Sequence, residues 1–526
     1  MKKTTAWIAV LFLIFSLCAC NGGKDEKAES GIKTETEKKS EKKAESGGEL
    51  SVYSYKPDTL CPLLSENKAN VNMLKLVYEG LFSVDGHLNA VPLLAESAEA
   101  SDGNKRYTVR IKKGIRFHDG SELNADDVLY SVRVIKANPG GAYSKNLSKV
   151  ASVKKLGDYE VEFRLIKPLA LFLNLLDFPV IKSAAAMPGK ENFSPIGTGA
   201  FKYENRNEGN RFHLVKNSGW HGEKVYPDSI TVRLLPDKDT ALYAFASGDI
   251  SVCPAEGEEW GKFVDSENSE YIKYPSEGYY FLGLNHKKET LKEDAVRKAL
   301  FYALNREEIF KDVFMDFGAA ANAPIRPEWA FCPEKNEPSG DLGKARAELE
   351  KGGWQLKGGV YKKAEGRRNQ SLKFSIIYCA DSYKAEQLAK KIAERLTEFG
   401  VQTSVKKLDY EKYNLAASGQ NYDMLIGKML LSKELDYSVF FGEGNIFGID
   451  DEELYNASAE IQKSEDAEEL KANFQALREL MEKKIPFIGL GFEDGVMLKK
   501  KNLKGEFSPS TDNIYGGMEK IYISEK

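Results

Sequence analysis

Cysteine is scarce in this chain, six among 526 residues, and two of those, Cys18 and Cys20, fall within the first twenty positions. The other four, Cys61, Cys253, Cys332 and Cys379, show no C-x-x-C spacing, which argues against a zinc ribbon or a thioredoxin-like centre. Three disulfide pairings among the four are open, but a core this large needs no covalent staple, so unpaired and mostly buried thiols are expected. Histidine is rarer still, with five residues and no His-Glu-x-x-His, and no metal or other cofactor is expected. Neither sign of charge dominates: 75 Lys and Arg face 79 Asp and Glu, a net −4. The one basic cluster, Lys499-Lys500-Lys501, is too short to suggest nucleic acid and reads as a solvated face. No apolar run reaches the roughly 20 residues a bilayer span needs. Hydrolytic signatures are missing too. Ser-x-x-Lys occurs at Ser65–Lys68, Ser152–Lys155 and Ser404–Lys407, but without Ser-Asp-Asn or Lys-Thr-Gly companions, so an exported hydrolase is disfavoured.

The beginning of the chain carries an address. Lys2 and Lys3 precede a short apolar stretch, residues 6–17, and then Leu17-Cys18-Ala19-Cys20. This is the layout of a secretory leader. Its end resembles a bacterial lipobox, which implies cleavage after residue 19 and lipidation of Cys20. Loss of Lys2 and Lys3 would take the net charge from −4 to −6. Residues 21–48 hold seven lysines, seven acids and almost nothing apolar, so they are expected to stay disordered. As a flexible coil they reach about 30 Å. Together these features predict a body held on the outer face of a cell membrane by a lipid anchor and a spacer.

Residues 107–131 hold the most specific pattern: alternation from Tyr107 to Ile111, a turn at His118-Asp119-Gly120, and a helix opened by Asn124 or Ala125 with Asp126 and Asp127 in its first turn. His118 lacks further ligands or a nucleophile nearby and reads as a turn residue. The run resembles, without a gap, the Y-T-F-x-L-R-x-G-V-K-F-H-D-G-x-P-L-T-A-x-D-V-x-Y-S signature of the family 5 extracellular solute-binding proteins, the peptide- and nickel-type receptors of ABC importers. Further matches are Tyr78-Glu79-Gly80-Leu81, Pro92-Leu93-Leu94-Ala95, Gly197-Thr198-Gly199, Trp220-His221-Gly222, Ser247-Gly248-Asp249-Ile250 and Val296-Arg297-Lys298-Ala299-Leu300. Cys61 stands where the family has Asp. Gly197-Thr198-Gly199 lacks a Gly-Lys-Ser ending and a following helix, and is expected to be a glycine-rich crossing between lobes.

The resemblance implies an α/β, two-lobed periplasmic-binding-protein-like fold of the large type, with an extra subdomain in the first lobe. The expected division is residues 1–19 leader, 20–48 lipidated cysteine and tether, 49–75, 191–283 and 491–526 first lobe, 76–190 extra subdomain, and 284–490 second lobe. Independently, residues 373–430 read as a βαβ unit. Phe374 to Tyr378 forms a strand, Asp381 or Ser382 caps a helix carrying Leu388, Ile392 and Leu396 on one face, and Gly400 ends it. Val401 to Leu408 and Asp423 to Met429 supply further strands, hence a right-handed parallel crossover.

The function implied is that of a receptor, not an enzyme: a monomer that traps a solute, by family frequency a peptide, between closing lobes and hands it to an ABC permease and its ATPase. Alternatives are a non-transport sensor or adhesion lipoprotein on the same fold, or a receptor for a non-peptide solute such as a chelated metal. In the peptide branches a G-W-x-x-D-Y motif supplies an aromatic wall and an Asp for the peptide's α-amine. Aligned without a gap, Lys428 takes the Trp position and Leu431 the Asp position, so Lys428 would meet an anionic group. With five residues inserted, Asp436 and Tyr437 supply the pair. Glu277 and Glu434 are candidates for cationic groups of a ligand. Tyr279, Tyr280 and Phe492 are candidate stacking rings near the crossings.

Overall fold

Two long antiparallel strands, Ser269–Leu284 and Phe487–Lys500, run side by side through the molecule. They are seen in a computed structural model that describes residues 47–524, apart from 192, 205–208, 256–259, 266, 334–339 and 366–367. The leader, Cys20 and the tether up to residue 46 lie outside the described residues. The strands keep register from Ser269 opposite Lys500 to Pro275 opposite Asp494, and resume at Tyr279 opposite Phe492. Residues 276–278 bulge out between, an irregularity that bends a strand locally.

On one side of that bulge, Val252–Pro254 pairs with Met497 to Lys499. Nearby stands a four-stranded sheet in the order Glu49–Ser54, Ser229–Leu234, Arg211–Lys216, Phe201–Glu204, its first pair parallel and the rest antiparallel. A separate antiparallel sheet, Ala95–Ser101, Arg106–Ile111, Glu160–Leu165, Val150–Gly157, is accompanied by the helix Ala125–Ala137. That helix starts as the sequence predicts. Asn124 accepts from the Asp126 amide, and Asp127 reaches back to the Asn124 amide, which satisfies donors otherwise left over at the helix start. One continuous core joins these two sheets, from Leu50 and Val52 to Val109, Phe163 and Phe201.

On the other side, Met424–Leu430 pairs with Gly278 to Leu284. Lys373–Cys379 lies parallel to both Met424–Leu430 and Gln402–Leu408. The connecting helix, Tyr383–Phe399, has Ser382 as N-cap and Gly400 at φ +108°, and it buries Leu388, Ile392 and Leu396. Each such side chain removed from water contributes about 1.5–3 kcal/mol. The βαβ unit is therefore present, with one strand at its edge and one against the long crossing strand.

Two expectations meet the structure differently. No disulfide joins the described cysteines; Cys61 and Cys253 are buried, Cys332 and Cys379 half-buried, and burial pushes the Cys61 thiol up to about 11. Gly197-Thr198-Gly199 is not a crossing between lobes. It packs inside the first lobe, where a Cβ on Gly197 would lie 2.0 Å from the Val77 carbonyl oxygen and the Gly199 amide donates to that oxygen at 3.0 Å. His118 braces the same segment: its Nδ1 accepts from the Gly197 amide at 3.2 Å, and its Nε2 lies 3.0 Å from the Gly199 carbonyl.

Candidate functional site between the lobes

The bulge is fixed by charge. Arg326, 2 % exposed, donates to the carbonyls of Ser276 at 2.9 Å and Glu493 at 3.2 Å and pairs with Asp494, so one guanidinium ties both crossing strands. Glu493 sits between Lys384 and Lys428, each at 2.6 Å. Burial alone would raise the Glu493 carboxyl, but the two ammoniums outweigh it and hold it below its usual range. Glu277 lies in the bulge. Burial pushes its carboxyl above the ordinary value against the opposing hydrogen bond from Thr511.

Just past the strand Met424–Leu430, the Leu431 amide donates to the Glu277 carbonyl at 3.0 Å. Residues 431–437 then reach across to the first lobe and its extra sheet. Lys433 contacts Asp177 at 2.5 Å and also Asp512. Lys75 contacts the same two acids at 3.4 Å and 2.9 Å. The four groups alternate in sign around a ring. Its remaining hydrogen-bonding capacity is used as well: Asn146 donates to Asp177 at 2.7 Å, and Lys75 donates to the Asp512 carbonyl at 2.6 Å. Burial would raise the Asp512 pKa and lower those of the lysines; the opposite charges reverse both, leaving Asp512 below and Lys75 and Lys433 above their usual values. Next along, Lys149 binds Asp436 at 2.6 Å and Glu434 at 3.6 Å, with Lys167 3.8 Å from Asp436. Burial works against the Asp436 carboxylate, but Lys149 and the Ser438 hydrogen bonds bring its pKa to about 2.

A cavity of about 380 Å³ opens on the first-lobe side of the ring. Lys75, Asp177 and Asp512 are among its walls, together with Glu79, Trp220 and Glu519. Glu79 is held by Trp220, whose Nε1 donates at 3.0 Å, and by the His221 ring at 2.8 Å. Burial raises the Glu519 carboxyl. The volume lies at the small end of the roughly 300–1,000 Å³ found for small-molecule sites, and its walls present acids and one indole ring.

None of the eight candidate ligand-binding residues lines this cavity, although Glu79 and Trp220 from the matched motifs do. Tyr279, Tyr280, Phe492, Glu277 and Lys428 do gather at the crossing strands. The Tyr279 and Phe492 rings pack 4.9 Å apart, both fully buried, with the Tyr279 hydroxyl on the Asn322 carbonyl. Tyr280 is buried against Phe314, and Lys428, half-exposed, lies 5.2 Å over its ring. Glu434 and Asp436 serve the contacts to Lys149, while Tyr437 is buried with its hydroxyl donating to the Pro324 carbonyl at 2.7 Å. Sequence reading missed Lys433, Lys75, Asp177 and Asp512. One signal was available: Asp177 interrupts the apolar run of Leu175, Leu176 and Phe178, where an acid needs a partner.

A hinge of two adjacent strands between α/β lobes, with a cavity on the first-lobe side of the ion-pair ring that bridges them, has the architecture of a two-lobed binding protein. Comparison with known proteins agrees. The bacterial extracellular solute-binding proteins, family 5 Middle, match residues 89–441, and the chain belongs to that family. It is 26 % identical to the oligopeptide-binding protein AppA of Bacillus subtilis over 552 residues, covering 100 % of this chain and 99 % of AppA. Identity to the glutathione-binding protein GsiB of Escherichia coli O6:K15:H31 is 26 % over 466 residues, 85 % of this chain and 89 % of GsiB. Among solved structures, the ABC transporter substrate-binding protein CtaP of Listeria monocytogenes superposes with a TM-score of 0.76 at 21 % identity, covering 91 % of this chain and 100 % of CtaP. The nickel ABC transporter protein of Bacillus halodurans gives 0.76 at 19 %, with 91 % and 100 % covered. These structural likenesses establish the shared two-lobed fold.

Proposed function

We propose that this protein is a lipid-anchored receptor that captures a small solute, a short peptide above all, between its lobes and delivers it to an ABC import permease. The observation that carries the reading is the hinge itself. Two neighbouring strands join the lobes, their register broken at residues 276–278 and again between Tyr280 and Phe281, and the cavity borders the groups that meet across them. A solute touching both lobes only when they are closed shifts the open–closed equilibrium by its differential affinity, and no covalent step is needed. Family membership and the names of AppA and GsiB support a peptide-like solute. Anchoring at Cys20 and residence on the outer face of the membrane rest on the leader pattern.

Thermal unfolding in the presence of di- to pentapeptide pools tests the reading. A bound peptide at 100 times its dissociation constant stabilises by about 2.7 kcal/mol, enough to raise the melting temperature by a few degrees. Indifference to every peptide pool would reject the peptide class and move the search to non-peptide solutes.

A further inference from the structure

The acids Asp177 and Asp512 belong to the first-lobe side of the cleft, and both border its cavity. A single Lys75 ammonium against two buried carboxylates leaves one negative charge uncompensated. Buried charge of that kind is costly unless paired. The missing charge arrives from the opposite lobe as Lys433, on the segment that follows Met424–Leu430. Lys433 is anchored beside its charge as well, since its carbonyl accepts from Asn174 at 3.2 Å. The flanking charges match in the same sense: Glu434 and Asp436 on this segment face Lys149 and Lys167 on the extra sheet's side. The pattern cation–anion–anion on one lobe thus meets anions and then cations on the other.

We propose that Lys433 is a built-in counter-ion for the cleft: it supplies from the second lobe the cation that the Asp177–Asp512 pair requires, so closure does not draw on a positive group of the solute. This rests on the reading of a cleft that closes by lobe movement, though its test needs no solute. One consequence is specificity. An ammonium group of a solute finds these two acids already neutralised, and an amine site appears there only when Lys433 is removed.

The test measures the interlobe distance in the full chain by electron–electron resonance between spin labels carried on non-canonical residues at exposed Lys238 and Glu394, helix positions on the two lobes. The wild type and Lys433→Arg are expected to show the same short distance without added solute. Lys433→Ala is expected to shift most of the population to a longer distance, and millimolar n-propylammonium, which replaces the lost ammonium, to restore the short one. Propylammonium should leave the wild type unchanged. A Lys433→Ala protein as closed as the wild type, or one opened but unmoved by propylammonium, overturns the proposal. Should Lys433→Ala fail to fold, Lys433→Gln keeps the length of a polar chain without the charge, and a Gln variant that stays closed overturns it equally. Because every arm omits peptide, failure here is distinguishable from failure of the solute reading, which the thermal shifts address.

Discussion

Arg326 shows what a single residue must supply at a hinge. Its guanidinium, 2 % exposed, meets two carbonyls and the Asp494 carboxylate, and burial still holds Asp494 above its ordinary pKa despite that partner. The pair therefore organises the bulge more than it stabilises the fold, since desolvation offsets much of the attraction. Removing one member is different, because the other is left buried and unpaired. Arg326→Met is expected to lower the unfolding free energy by about 3 kcal/mol in urea denaturation, whereas a change below about 1 kcal/mol would mean that Asp494 finds water or another partner. Lys428 teaches the converse lesson at residue scale. Its place in the sequence motif suggested a contact with an anionic ligand, and in the fold it has an anion already, Glu493 at 2.6 Å. A charged residue's role depends on the nearest opposite charge, which lies far along the chain and leaves no mark in local sequence.

Elements were more legible than charges. The helix Tyr383–Phe399 could be read because its signals are local: Ser382 as cap, apolar residues at helical spacing, and a glycine where the chain leaves the helix. The same holds for Ala125–Ala137 with its capping box. Gly400 is the strictest of these positions, since φ +108° disfavours any side chain and a Cβ would approach Leu356 to 2.8 Å and Tyr361 to 3.1 Å. Gly400→Ala is expected to cost about 2 kcal/mol of stability, read from chemical denaturation, with the far-ultraviolet spectrum of the folded protein unchanged. A neutral effect would show that the turn relaxes. Gly197 and Gly199 look equally permissive in sequence, yet their reason is tertiary. They let one backbone approach Val77 within the first lobe, which no local pattern reveals. That is why a glycine-rich segment that resembled a hinge proved to be a packing contact, while the actual bulge at residues 276–278 lay inside one long strand, Ser269–Leu284.

At the scale of the whole molecule, the fold class was legible through motif order spread over most of the chain, and the family match over residues 89–441 rests on the same region. The cavity was not. Its walls come from residues 75–93, 177–179, 199–220 and 508–519, segments that only the closed chain topology brings together. Trp220 belonged to a recognised motif, but its place beside Glu79 and the cavity depends on Gly199, Ala200 and the loop of residues 508–519 meeting there. Across the cleft, ion pairs between residues 431–437 and the first-lobe side give the two halves a defined closed arrangement. The proposed receptor function requires that this state hold one small solute.

Native mass spectrometry of the protein with an equimolar pool of di- to pentapeptides measures this most directly. The expected result is a single one-to-one adduct that survives gentle desolvation and is strongly reduced by Trp220→Ala, a substitution in the cavity wall. Bare protein at every peptide concentration up to millimolar, or adducts in many stoichiometries that Trp220→Ala leaves unchanged, would contradict a peptide receptor with one enclosed site.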